Sequence, residues 1–132
     1  MPTLTTEPPE RLGGDPRPEL VVRDGRVLLA GSRCGDCRHP MMVSPPRCPV
    51  CAGASMAPAT FGPGATVFSS TVLRIPVPGR TPPFTLAYVD VDDGPRILAH
   101  VDGPDEVLVP GSRVELAGWS EHGDPVVQRK GR

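Results

Sequence analysis

Apolar and polar positions along this chain alternate in short runs, without the period of an amphipathic helix. Leu20-Val21-Val22-Arg23 and Arg26-Val27-Leu28-Leu29-Ala30 flank Asp24-Gly25, and two such runs around an Asp-Gly pair predict a β-hairpin with a two-residue turn. After Phe61-Gly62-Pro63-Gly64 the alternation returns. Ala65 to Leu73 is rich in Val, Thr and Ser; Phe84 to Val91 alternates aromatic or aliphatic residues with Thr, Ala and Asp; Arg96 to Val101, Arg113 to Trp119 and Pro125 to Gln128 follow. Five short runs divided by Gly, Pro and Asp predict a small five-stranded barrel. Asp92-Asp93-Gly94 reads as the turn between the second and third runs. Pro110-Gly111 argues against a regular helix in the segment joining the third to the fourth.

Composition reinforces this reading. With 19 prolines and 15 glycines in 132 residues, long helices are excluded and the chain is expected to be mostly β and loop. Residues 1–19 carry Pro2, Pro8, Pro9, Pro16 and Pro18 with few apolar anchors, and are expected to be a flexible arm, or one that orders on a partner. Residues 20–58 then form one lobe and 59–132 the barrel domain. No apolar run approaches the roughly 18–20 residues of a membrane span, and the start has no basic segment followed by an apolar run. A soluble, cytoplasmic protein without membrane contact is expected.

The candidate chemistry lies in the first lobe. All four cysteines fall in two pairs, Cys34-Gly35-Asp36-Cys37 and Cys48-Pro49-Val50-Cys51. Each pair can turn both sulfurs toward one centre, and four thiolates in a tetrahedron form the structural zinc set, closed to substrate. Iron fits the same geometry. Two disulfides would need an oxidising compartment, and a redox pair would stand alone near a βαβ pattern. The connection between the pairs is short and holds Pro40, Pro45 and Pro46, which suits two knuckles facing each other. Arg38 and Ala52 follow the pairs where glycine is the usual residue. Arg33, Arg38 and Arg47 surround the site and are expected to offset its charge.

Formal charge is −1, from 14 basic and 15 acidic residues, and a zinc-bound set of thiolates takes it to ~−3. With only three Phe, one Tyr and one Trp, the chain is poorly equipped for single-stranded nucleic acid, which calls for basic grooves and stacking rings. That remains the alternative function, because zinc ribbons and small barrels both serve it elsewhere.

The order Cys34-x-x-Cys37, Ser44-Pro45-Pro46-Arg47-Cys48-Pro49-x-Cys51, Gly64-x-x-x-x-Ser69-x-Thr71-Val72-x-Arg74, Pro82-Pro83-Phe84-x-Leu86-Ala87 and Gly111-x-x-Val114 resembles the zinc-ribbon plus OB-fold proteins associated with acyl-CoA enzymes. The resemblance spans residues 20 to 130. It implies a rubredoxin-like zinc ribbon followed by a five-stranded OB-fold barrel. It also implies an accessory, non-catalytic subunit that pairs with a thiolase-like, ketosynthase-like, aldolase or hydratase partner and helps hold the CoA thioester.

Under that implication Arg74 and Arg80, on the loop after the first barrel strand, become candidates for the CoA phosphates, because a guanidinium can pair two phosphate oxygens. His100 reads as a hydrogen-bonded barrel residue, His39 as a bystander to a filled metal shell and His122 as a turn residue. Ser69, Ser70 and Thr71 lack the surroundings of an activated hydroxyl. Phe84 and Trp119 are assigned to the core.

Overall fold

The computed structural model describes residues 4–130; Pro2 of the arm and the last two residues of the basic C-terminus lie outside them. The predicted hairpin is Glu19–Arg23 (β1) paired antiparallel with Arg26–Cys34 (β2). Asp24 and Gly25 both take positive φ, 52° and 73°. This is the turn whose twist matches that of the strands it joins. β2 is long enough to serve three partners: β1 and the two-residue Pro40–Met41 (β3) lie along one edge, and Met56–Phe61 (β4) along the other.

Five further strands form a closed barrel: Gly64–Leu73 (β5), Phe84–Val91 (β6), Arg96–Asp102 (β7), Arg113–Trp119 (β8) and Pro125–Arg129 (β9), in the order β5-β6-β7-β9-β8. Only β7 and β9 run parallel. The five expected runs match these strands to within one residue at each end, and residues 103–112 contain no helix. Bulges after Val67 and after Leu116 shift the register. Such bulges bend a strand enough for a small barrel to close.

One core serves both units. Leu20, Val27, Leu29 and Phe61 from the first sheet belong to the same buried cluster as Val67, Val89, Ile97 and Val114 of the barrel. The first sheet therefore covers one side of the barrel's apolar interior and does not stand apart as a separate lobe, and β4 carries it to Phe61. Phe84 and Trp119 are buried, as expected.

The arm, expected to be flexible, lies along the barrel in this structure. Thr5 exchanges two backbone hydrogen bonds with Trp119, each 2.9 Å. Gly118 permits the approach, since a Cβ there would run into the Thr5 carbonyl oxygen.

Because Leu29 is fully buried in the shared cluster, Leu29→Ala should lower global stability by about 2–5 kcal/mol. Urea unfolding followed by Trp119 fluorescence should show one transition moving to lower denaturant. A second transition confined to residues 19–61 would show that the units do not share a core.

Candidate functional site

The four sulfurs converge. Every pair of them lies within 4.8 Å, with Cys34 Sγ to Cys51 Sγ and Cys37 Sγ to Cys48 Sγ both 3.6 Å. A tetrahedron with metal–sulfur bonds of about 2.3 Å has sulfur–sulfur edges of roughly 3.8 Å, so the set has the spacing a divalent ion requires. Cys34 and Cys48 are buried, while Cys37 and Cys51 face outward. His39 lies outside the group.

Both pairs form knuckles. Arg38 N–H donates to the Cys34 carbonyl and Ala52 N–H to that of Cys48, while the N–H groups of Cys37, Val50 and Gly53 point at sulfurs. Arg38 and Ala52 adopt φ of 70° and 63°. The left-handed position is thus filled by ordinary residues, at a strain cost that glycine would avoid.

Crowding the thiols has an electrostatic consequence. Hydrogen bonds from backbone N–H groups, chiefly that of Cys37, draw Cys34 down to about 7. For Cys37 the His39 N–H pulls downward, but burial and the neighbouring sulfurs outweigh it and push the thiol up to about 12. Four thiolates cannot share this space without a cation among them.

The arginines act on the knuckle backbone. Arg33 donates to the Arg38 carbonyl at 2.8 Å and to the Asp93 carbonyl, in the β6–β7 turn, at 2.6 Å, with its guanidinium 5.3 Å from the centre of the Phe61 ring. Arg47 donates to the Ala52 carbonyl at 3.1 Å. Arg33 and Arg47 thus cap knuckle carbonyls and make no hydrogen bond to a sulfur among the described residues, and Arg33 also ties the first knuckle to the barrel.

A second feature was not foreseen. Leu86, Tyr88, Leu98 and His100 stand on the outer face of β6 and β7, opposite the core side chains Ala87, Val89, Ile97 and Ala99. Above them lies a groove of about 510 Å³, edged by Pro16, Arg17 and Pro18 of the arm, Val77 and Arg80 of the β5–β6 loop, and Met42. At one end Asp124 joins three elements. Its carboxylate accepts from Arg80, lies 3.4 Å from Arg17 Nη1 and 3.2 Å from His100 Nε2. Arg17 is also held by Asp15 at 2.8 Å.

Of the two arginines proposed for phosphates, Arg80 lines this groove, bound to Asp124. Arg74 is exposed and outside the lining, with no side-chain hydrogen bond among the described residues. The structure does not bring the two together at one site. Ser70 exchanges hydrogen bonds with the Leu108 backbone, a structural role. Asp124 carried no signal in the sequence, because it looks like any turn residue before a proline and its partners lie 24, 44 and 107 positions away.

Residues 59–119 match the family described as ChsH2, C-terminal OB-fold domain. Among solved structures, a chain of the Ltp2-ChsH2(DUF35) aldolase is 26% identical with a TM-score of 0.63, over 77% of this chain and 84% of that one. No curated protein sequence matches the chain. The described residues contain no helix long and apolar enough to cross a membrane.

The groove's closed end should loosen on acidification. Burial lowers the pKa of His100 from 6.5, against the pull of Asp124 and with help from Arg80 and His122. The unfolded imidazole therefore takes up a proton first, and the stability held here is complete above about pH 6.5 and declines as pH falls below it. Asp124 follows at lower pH: burial raises its pKa, but Arg80 and His100 bring it below 3.8 overall, so its contribution is lost as pH drops through that folded value. The protection factors of the Asp15, Arg17 and Arg80 amides, taken relative to the intrinsic exchange rate at each pH, should fall between pH 7.5 and 5.5, and Asp124→Asn should cost about 1–3 kcal/mol at pH 7.5. Unchanged protection at these amides would remove Asp124 as the latch.

Proposed function

We propose, from the match of residues 59–119 to the ChsH2 C-terminal OB-fold domain, that this chain is an accessory subunit of an acyl-CoA enzyme. Its partner is a thiolase-like protein that breaks or forms a carbon–carbon bond and supplies the catalytic groups. The observation that carries this reading is the likeness of the cysteine sheet and barrel together, over 77% of the chain, to a chain of the Ltp2-ChsH2(DUF35) aldolase. A closed thiolate set with no position for substrate agrees with a supporting role.

We assign zinc to Cys34, Cys37, Cys48 and Cys51. There it supplies a cross-link that fixes both knuckles against β2 and β4, and a set of thiolates kept for a metal suits a reducing, cytoplasmic setting. The chain's contribution to the thioester is to hold its CoA end. Arg74 is the better placed of the two candidate arginines, because its guanidinium is exposed, whereas Arg80 holds Asp124.

Two measurements test the reading. Co-expression with a thiolase-like partner should yield a stable complex that turns over acyl-CoA only when both chains are present. Equal turnover by the partner alone would overturn the proposal, and salt-dependent binding of a single-stranded oligonucleotide would then favour the nucleic-acid alternative. Elemental analysis should find one zinc per chain. Cys48→Ser should lose it and destabilise the fold by about 3–5 kcal/mol; retention of full stability without metal would contradict a structural zinc.

A further inference from the structure

His100 is 5% exposed, yet its Nδ1 has no hydrogen-bond partner. Its other nitrogen, Nε2, faces the Asp124 carboxylate at 3.2 Å. A carboxylate only accepts, so Nε2 carries the hydrogen and Nδ1 of the neutral ring presents a lone pair. Burial holds the imidazole neutral by lowering its pKa. A buried acceptor left unpaired is costly in a fold, and it marks a place where something is to be received.

The surroundings define what fits. His100, Arg80 and Phe84 line both the large groove and a smaller cavity of about 80 Å³ beside it, where Thr81, Ser120 and His122 add polar atoms. The large groove lies in the range of small-molecule sites, about 300–1,000 Å³, and its walls include Leu86, Leu98 and Val77. Charge at the closed end is balanced, with Arg17 and Arg80 against Asp15 and Asp124, so neither an anion nor a cation is called for. Arg80 binds Asp124 through Nε and Nη2, which leaves Nη1 to donate.

We propose that this groove binds an uncharged apolar chain bearing a hydroxyl, whose hydrogen is donated to His100 Nδ1 and whose oxygen accepts from Arg80. A hydroxyl is the neutral group that donates and accepts at a single atom; a secondary amide separates the two functions. The site goes beyond the accessory-subunit reading and does not rest on it.

The test uses the full chain with its metal, calorimetry, and the ¹⁵N resonance of His100 Nδ1, with 1-octanol, octyl methyl ether and pantetheine as probes. Octanol should shift the resonance and bind about fivefold more tightly than the ether, the worth of one neutral hydrogen bond. His100→Phe should erase that difference. Leu98→Arg, on the half-exposed wall, should block octanol without lowering the unfolding midpoint, and it keeps the test decisive if His100→Phe fails to fold. Equal binding of octanol and ether, an unmoved resonance, or preference for pantetheine with its two amides would overturn the proposal. Complex formation with the thiolase-like partner, measured separately, is expected to be unaffected by octanol.

Discussion

Leu29 and Phe61 face each other across β2 and β4 and are buried among the side chains of the barrel. The first sheet is small, and small units bury little surface to offset their conformational entropy without a staple or a neighbour. Sharing the barrel's core supplies that neighbour. It also sets where the cysteines sit: β2 runs without interruption from Leu29 in the core to Cys34 in the metal group. Arg33, one residue earlier, completes the link by reaching the Asp93 carbonyl of a barrel turn. The cysteine group is thereby positioned by the barrel as well as by its own knuckles.

The outer face of β6 and β7 follows a different logic. A small barrel normally presents polar residues outward, but here Leu86, Tyr88 and Leu98 face out, and two peripheral segments lie along them. The segments meet at one carboxylate, Asp124, which reaches the arm through Arg17, the β5–β6 loop through Arg80 and the strand beneath through His100, while Arg17 also donates to the His122 carbonyl. Concentrating three contacts on one group makes the closure cooperative, and it leaves the apolar groove between the segments unfilled. Farther along the same wall Arg96 lies over Phe68 at 3.5 Å and pairs with Asp90, covering exposed apolar surface with a charged side chain.

The functional argument divides along the same line. The four clustered cysteines form a possible metal site, and a solved chain that this one resembles is part of an aldolase complex. The groove is lined by residues of this chain, with His100 and Arg80 at its closed end.

Much of this was legible in the amino-acid order because it rests on local rules. The Asp24-Gly25 hairpin, the five barrel runs, and the convergence of the four cysteines all follow from residues close in sequence, where alternation, turn chemistry and ligand spacing act directly, whereas the strands Pro40–Met41 and Met56–Phe61 were not foreseen. The left-handed Arg38 and Ala52 were harder to read, because the knuckle imposes that conformation on residues that do not favour it. The placement of the arm, the merging of the two cores, and the gathering of Arg17, Arg80, His100 and Asp124 around one groove were decided only by the tertiary structure. Those contacts join residues up to 107 positions apart, and a long-range ion pair leaves no periodicity in the chain. It exists only once the barrel has closed and brought its loops and the arm to the same side.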